Sequence, residues 1–266
     1  MRLLEQVQKG LNPAPPRILL YGGEGEGKST LGAQTPNPIF VQAEDGLGQI
    51  DCERFPLAKA IDEVFAALQE LRTAEHGYET VVVDSVDAVE RLIFDDVCKT
   101  FAVSCIEKAD GGYQRGYTHA LGYWRRILDA LDALRIEKDM AVVLIGHSKV
   151  ERFEDPMAMA YDRYSPRLHK AASGLITEWC DAVLFATKRF RTEKQEQGFG
   201  RERTIAKEVG TNGGERILRC IGSPACVSKN RFGLPAELPL SWPALMAGLV
   251  RSSETPASPE ISGVQQ

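Results

Sequence analysis

Several features that define other classes of protein are absent from this sequence of 266 residues. No apolar stretch approaches the 18 residues of a membrane-spanning helix, and residues 1–5 lack the apolar centre of a signal peptide. The six cysteines form no C-x-x-C pair and no zinc-like spacing with the four histidines, which favours reduced, mostly buried thiols. The net charge of −5 argues against a globally basic nucleic-acid coat, although a local basic surface is compatible with it. We expect a cytoplasmic protein without a membrane partner.

The most informative motif is Gly22-Gly23-Glu24-Gly25-Glu26-Gly27-Lys28-Ser29-Thr30, which fits G-x-x-x-x-G-K-[ST] and follows an apolar run at residues 17–21. Its glycines allow backbone N–H groups to point at phosphate oxygens. Lys28 would then reach the β- and γ-phosphates, and the Ser29 hydroxyl would ligate Mg²⁺. A glycine-rich surface turn is the alternative. We predict that this segment binds ATP with Mg²⁺.

Short β-branched runs alternate with helical patterns along the rest of the chain, which predicts an α/β fold. The sheet is expected to be mostly parallel and flanked by helices, with a small C-terminal β extension at about residues 190–226. Residues 1–16 are interpreted as a lead-in, 17–250 as one domain, and 251–266 as a disordered tail. The predicted strands are 17–21, 38–41, 80–83, 141–145 and 181–185; the predicted helices are 61–71, 86–101 and 120–138.

Three polar positions at predicted strand ends complete the candidate site. Asp84 follows an apolar strand and is the expected Mg²⁺ carboxylate, with a helix-capping role as the alternative. Glu44 is the candidate for orienting the attacking water, with Asp45 as the fallback, because the strand before it is expected to end beside the phosphate loop. His147 suits a γ-phosphate sensor, or it merely caps its strand.

These parts, in this order, resemble the RecA-like P-loop ATPase core. Ala43-Glu44, the run from Val82 to Val86, His147 and Val227-Ser228-Lys229-Asn230-Arg231 carry the resemblance. More closely, the sequence is similar to the AAA_24 group of phage nucleotide-binding proteins, which includes single-strand-annealing ATPases. The resemblance covers roughly residues 15–250.

This resemblance implies more than the motifs do by themselves. Lys229 and Arg231 would reach the ATP of a neighbouring subunit, so a homo-oligomer with ATP at the subunit interfaces is implied. Two loops, at 106–119 and 149–170, would bind single-stranded DNA. Their candidate contacts are cations and aromatics, the combination that tracks phosphates and stacks on bases: Tyr113, Arg115, Lys149, Arg152, Arg163 and Tyr164, with Arg167 and Lys170 also in the second span.

The resulting hypothesis is a DNA-stimulated ATPase that assists annealing or strand exchange in phage-type recombination, in the host cytoplasm if phage-encoded. Two alternatives stay open. The loops could form a substrate lid or an interface in a nucleotide-switched module that binds a protein partner. A small-molecule kinase is disfavoured, since no acceptor pocket is recognisable in the sequence.

Overall fold

A ten-stranded mixed sheet with helices packed on both faces is the framework of the computed structural model. The structure describes residues 7, 9, 14–156, 159–197, 201–210 and 214–254. Most of the predicted lead-in and tail therefore lies outside the described residues. Among the described residues, no helix combines the length and the apolarity needed to cross a membrane.

The strands, in chain order, are β1 (Arg17–Gly22), β2 (Pro38–Gln42), β3 (Glu53–Arg54), β4 (Thr80–Asp84), β5 (Ala141–Phe153), β6 (Tyr161–Pro166), β7 (Ala182–Lys188), β8 (Phe190–Gln197), β9 (Arg201–Glu208), β10 (Arg216–Arg219), β11 (Lys229–Asn230) and β12 (Glu237–Pro239). The helices are α1 (Lys28–Ala33), α2 (Ile61–Thr73), α3 (Val86–Thr100), α4 (Arg115–Glu137), α5 (Lys170–Trp179) and α6 (Trp242–Glu254), with a 3₁₀ segment at Ile106–Gly111.

The central strands lie in the order β7-β1-β5-β4-β2 and all run parallel. Strand β3 extends this parallel region beyond β2, whereas β10, β11 and β12 add antiparallel pairings on the β7 side. Strands β8 and β9 form a separate two-stranded ribbon. The predicted α/β class and the C-terminal β extension are confirmed.

The continuous apolar runs are explained by burial on both faces of the sheet. In β1, Leu19 and Tyr21 pack in the larger core with α2–α5, while Ile18 and Leu20 face the opposite side, where Leu31 and Trp242 pack. Alternate residues of one strand therefore serve two cores.

Three of the differences from the predicted boundaries affect the candidate loops or the tail. Helix α4 begins at Arg115, five residues before the predicted 120, so it includes part of the first predicted loop. Strand β5 continues to Phe153 and pairs with β6, so most of the second predicted loop is a β-hairpin. Helix α6 includes residues 251–254, which the sequence assigned to the tail.

The parallel strands carry all predicted strand-end residues to one edge of the sheet. Gly22 pairs with His147 across β1 and β5, and Gln42 pairs with Asp84 across β2 and β4. The loops after these strands meet at this C-terminal edge, which is where open α/β sheets bind ligands.

Candidate nucleotide site

The phosphate loop at residues 22–30 joins β1 to α1 at the C-terminal edge. Gly22 has no room for a side chain, because a Cβ there would lie 2.2 Å from the carbonyl oxygen of Ala186. Gly27 has a φ of +91° and is the N-cap of α1. The N–H groups of the first helical turn have no partners within the helix, so they can donate to an anion. The loop therefore fits a phosphate group.

Lys28 is a buried cation inside this loop. Its Nζ donates hydrogen bonds to the carbonyl oxygens of Gly22, at 3.2 Å, and Gly23, at 2.6 Å. Burial lowers the pKa of the ammonium group, and the carboxylates of Asp84 and Asp87 oppose this shift. The positive charge is thus held between the loop and the carboxylates at the edge of the sheet.

Ser29 and Asp84 form a pair that matches the expected Mg²⁺ ligands. The Ser29 hydroxyl donates to Asp84 Oδ2 at 2.6 Å. Burial raises the pKa of Asp84, while the Ser29 hydrogen bond and the charge of Lys28 lower it. A hydroxyl and a carboxylate are hard oxygen donors of the kind that Mg²⁺ prefers. The two side chains therefore fit this ion.

Glu44 belongs to the same cluster, but the reason given from the sequence is wrong. Strands β4 and β5 separate β2 from β1, so β2 does not end beside the phosphate loop. Glu44 enters the site differently: its Oε2 accepts a hydrogen bond from Ser85 Oγ at 2.7 Å and lies 3.9 Å from His147 Nδ1. Asp45, the fallback, is exposed.

His147 is anchored by Asp87, a residue that the sequence analysis missed. Its backbone N–H donates to Asp87 Oδ1 at 3.0 Å, and its Nδ1 lies 3.1 Å from both carboxylate oxygens. Burial alone would raise the pKa of Asp87, but hydrogen bonds from His147 and Arg167 outweigh it and hold the pKa well below its usual range. We therefore assign the ring proton to Nδ1, which leaves Nε2 for another partner.

Arg167 also lies at this edge, rather than with the candidate DNA contacts of its loop. Its Nη2 is 2.8 Å from Asp87 Oδ2, and its Nη1 is 3.8 Å from Glu24 Oε1 in the phosphate loop. Asp87 could have been noticed from its place three residues after Asp84, in the first turn of α3. Arg167 gave no local signal, because 80 residues separate it from Asp87.

The first predicted DNA loop is more regular than expected. It contains the 3₁₀ segment and the first turn of α4, where Arg115 Nη1 donates to the carbonyl oxygen of Asp110 at 3.3 Å. Tyr113, between these two elements, is 95% exposed. Only a short turn around Tyr113 is left without helical structure.

The hairpin of β5 and β6 divides the other candidate DNA contacts between two faces. On one face, Arg163 pairs with Glu151 at 3.1 Å and its guanidinium lies 3.9 Å from the centre of the Phe153 ring. Lys149 lies on this face too, and its Nζ donates to the carbonyl oxygen of Leu168. Arg152 and Tyr164 belong to the opposite face, because β-strand neighbours alternate.

Tyr164 is the aromatic of that opposite face. Its ring stacks on Phe185 at a centroid distance of 5.0 Å and is still 44% exposed. Val150 lies directly across the hairpin from it and is 60% exposed. The six predicted contacts therefore do not form one continuous surface in this conformation.

Lys229 and Arg231 lie at the opposite edge of the sheet from the phosphate loop, where β11 pairs with the start of β7. Lys229 Nζ donates to the carbonyl oxygens of Thr177, Glu178 and Cys180, which caps the C-terminus of α5. Arg231 is 3.4 Å from Asp181 and its side chain is more than half exposed. Neither residue can reach the phosphate loop of its own chain.

The family comparison agrees with this geometry. A model described as "AAA_24: AAA domain" matches residues 14–232. The chain belongs to the AAA_24 family. The resemblance predicted from the sequence is thereby confirmed, and the family assignment gives the chain a P-loop ATPase domain.

Two further comparisons place the chain beside known proteins. It is 25% identical over 183 residues to the SPbeta prophage-derived uncharacterized protein YorG of Bacillus subtilis (strain 168), which covers 67% of this chain and 52% of the relative. The chain thus spans about half the length of that relative. It is also similar to the crystal structure of the RadB recombinase, at 15% identity and a TM-score of 0.46, covering 85% of this chain and 88% of the other.

Proposed function

We propose that this AAA_24 protein hydrolyses ATP with Mg²⁺, binds single-stranded DNA, and assists annealing or strand exchange in phage-type recombination in the host cytoplasm. The observation that carries the hydrolytic part is that Lys28, the Ser29–Asp84 pair and Glu44 lie together at one edge of the sheet. The prophage origin of the matched relative supports the biological setting.

Each residue of the cluster has a separate role in this proposal. Lys28 and the N–H groups of the loop bind the phosphates, and Ser29 and Asp84 hold the metal ion. Bound Mg²⁺ would supply charge neutralisation at the phosphate oxygens. Because Lys28 is buried, its charge acts in an environment of lower effective dielectric constant than water.

Glu44 is the proposed water-orienting residue. The Ser85 hydroxyl holds one of its oxygens, and the other oxygen accepts no hydrogen bond among the described contacts. When one oxygen of a carboxylate is held in place, its other oxygen can accept a hydrogen bond from a water molecule and orient it. His147, anchored by Asp87, presents Nε2 as the proposed sensor of the terminal phosphate.

The hairpin connects this site to the proposed DNA surface. The first half of β5 ends at His147 in the site, and the same strand continues without a break to Phe153 in the hairpin. Arg163 supplies a cation on one face of the hairpin, Tyr164 supplies an aromatic ring on the other, and exposed Tyr113 supplies another ring. Backbone-tracking charge and stacking platforms are the means by which proteins hold single strands.

Assembly with ATP at subunit interfaces would give Arg231 a role in trans. Its distance from its own phosphate loop supports a neighbour's nucleotide as the target. Mixing inactive Lys28→Ala with inactive Arg231→Ala protein should restore part of the ATPase activity, because some interfaces would pair two intact halves. No recovery in a demonstrated mixed oligomer would count against this arrangement.

The test of the whole proposal is ATP hydrolysis measured with and without single-stranded DNA. We expect hydrolysis by the protein alone and faster hydrolysis with DNA. Hydrolysis that DNA does not change, together with no DNA binding at low salt, would reject the recombination function and leave the ATPase assignment standing.

One observation favours a second function, a nucleotide-switched module for a protein partner. Val150 and Tyr164 form an exposed apolar pair on the hairpin, and apolar surface of this kind is buried when a protein partner binds. Val150→Ser should weaken protein capture in that case, whereas it should leave DNA affinity nearly unchanged if DNA is the partner.

A further inference from the structure

Arg167 is held at two points beside the phosphate loop. Its backbone N–H donates to the carbonyl oxygen of His147 at 2.8 Å, which fixes the segment that leaves β6 against the end of the core part of β5. Its guanidinium donates to Asp87 Oδ2 through Nη2 at 2.8 Å and Nε at 3.3 Å. Two contacts to one carboxylate oxygen fix the direction in which the remaining nitrogen points.

That remaining nitrogen faces the loop. Arg167 Nη1 is 3.8 Å from Glu24 Oε1, which is an ion-pair distance and too long for a hydrogen bond. The Glu24 side chain is mostly exposed, so this contact is weakly held. A phosphate oxygen at the mouth of the loop would be a stronger acceptor than this exposed carboxylate.

The carboxylate that holds Arg167 is itself fixed. The Asp87 side chain is almost fully buried, and the backbone N–H and ring of His147 occupy its other oxygen. Asp87 therefore places both a sensor candidate and an arginine at the same edge of the site. Glu44 completes the surroundings at 3.9 Å from His147 Nδ1.

We propose that Arg167 is a phosphate-binding residue that the chain supplies to its own nucleotide, and that it contacts the terminal phosphate. This inference rests on the proposed nucleotide site. The terminal phosphate is the expected target because Arg167 lies between two parts of the site. One part is the phosphate loop, which Arg167 approaches at Glu24, and the other is the cluster of His147 and Glu44 beyond the loop. Inner phosphates belong to the loop N–H groups and Lys28.

Arg91 offers a matched control. It also pairs with Asp87, with Nη1 at 3.7 Å from Oδ2, but it does so from one turn further along α3. Its side chain is 60% exposed, and the structure shows no contact between it and the described residues of the phosphate loop. Arg91→Ala therefore removes a cation from the same carboxylate without removing a phosphate contact.

The experiment compares two nucleotides in the presence of Mg²⁺. Equilibrium dissociation constants for ADP and for a non-hydrolysable ATP analogue are measured for the wild type, Arg167→Ala and Arg91→Ala. Arg167→Ala should weaken binding of the analogue by about tenfold or more, while its affinity for ADP stays within about twofold. Arg91→Ala should change neither affinity by more than about twofold. Arg167→Lys should recover part of the lost affinity for the analogue, because lysine keeps the positive charge but lacks the planar guanidinium group.

Three results would overturn the inference. An unchanged affinity of Arg167→Ala for the analogue, or an equal loss for both nucleotides, would show that Arg167 only ties the hairpin to α3. If Arg167→Ala does not give a cooperative thermal unfolding transition, Arg167→Gln replaces it in the same binding measurements. A wild type that binds neither nucleotide would reject the proposed function together with this inference, so the two failures are distinguishable.

Discussion

The two halves of β5 differ in how much of their side-chain surface is buried and paired. In the core half, which ends at His147, the charged groups beside the strand are paired within the chain: Lys28 with the loop carbonyl groups, and Asp87 with His147 and Arg167. In the hairpin half, Arg163 and Lys149 are paired with Glu151 on one face, but Val150 and Tyr164 are exposed on the other face. The core half is organised by contacts within the fold, whereas the hairpin half leaves an apolar pair exposed.

Lys28→Ala tests the organised half and should have the largest effect. We expect ATP hydrolysis to fall by about 10³-fold, because the only buried cation of the loop is removed from developing charge at the phosphates. Circular dichroism and thermal unfolding should show a folded variant. Lys99→Ala, at the end of α3, is the control and should hydrolyse ATP like the wild type. Wild-type turnover by folded Lys28→Ala would contradict the site assignment.

Glu44→Gln should lower hydrolysis by about 10²-fold and leave nucleotide binding intact, because only the water-orienting carboxylate is changed. Single-turnover hydrolysis and equilibrium binding measure the two quantities separately. Asp45→Asn is the matched variant at the next position. If Asp45→Asn lost hydrolysis and Glu44→Gln kept it, the neighbouring carboxylate would be the true one.

Glu90 of α3 contacts the segment that follows the hairpin, so it tests the connection between the nucleotide site and the hairpin. Its Oε2 accepts the His169 N–H at 2.9 Å, two residues after Arg167, and its carboxyl group is buried. Burial raises the pKa of Glu90 to about 7, against the lowering effect of the His169 hydrogen bond. The folded state therefore favours the protonated carboxyl group.

The pH dependence follows from the sign of that shift. Between pH 4.5 and 7 the unfolded chain loses this proton first, so the free energy of unfolding should fall as pH rises through this window and then level off. Glu90→Gln should remove this fall, which is at most about 3 kcal/mol. Urea unfolding at pH 5 and pH 8 measures it, with exposed Glu70→Gln on α2 as control. Equal pH dependence in wild type and Glu90→Gln would disprove the assignment.

The hairpin should give the smallest effects, of about tenfold in affinity for single-stranded DNA. Arg163→Ala should weaken binding and flatten its salt dependence, because fewer counterions are released. Tyr164→Ala should weaken binding with little change in the salt slope, since stacking releases no counterions. Fluorescence anisotropy at several salt concentrations measures both. ATP-analogue affinity is the internal control, and identical salt slopes in all three proteins would refute a phosphate contact by Arg163.

The organised half was largely predictable from the sequence, and the hairpin was not. Lys28, Ser29 and Asp84 belong to local patterns in which the spacing itself reports the geometry. Glu44 lies in the cluster, but the strand order that was expected to bring it there is wrong, because one sequence does not reveal which strands are neighbours. Asp87 and Arg167 meet across 80 residues, and only the tertiary fold shows such a contact.

The hairpin was missed for a different reason. Residues 149–170 contain polar and charged side chains on both strand faces, so they lack the apolar alternation that marks a half-buried strand. Backbone pairing from Ser148 to Phe153 with β6 holds the hairpin together instead. Similarly, the motif around Lys229 predicts a contact with the ATP of a neighbouring subunit. Its hydrogen bonds to three carbonyl oxygens at the end of α5 could not be predicted from the sequence.

The central claim is that the state of the nucleotide site controls the hairpin through their shared strand. The most direct measurement is the affinity of the wild-type protein for single-stranded DNA at low salt, with Mg²⁺ and either a non-hydrolysable ATP analogue or ADP. We expect about tenfold tighter binding with the analogue, which corresponds to a coupling free energy of about 1.4 kcal/mol. Equal affinity with both nucleotides, or no measurable affinity with the analogue, would contradict it.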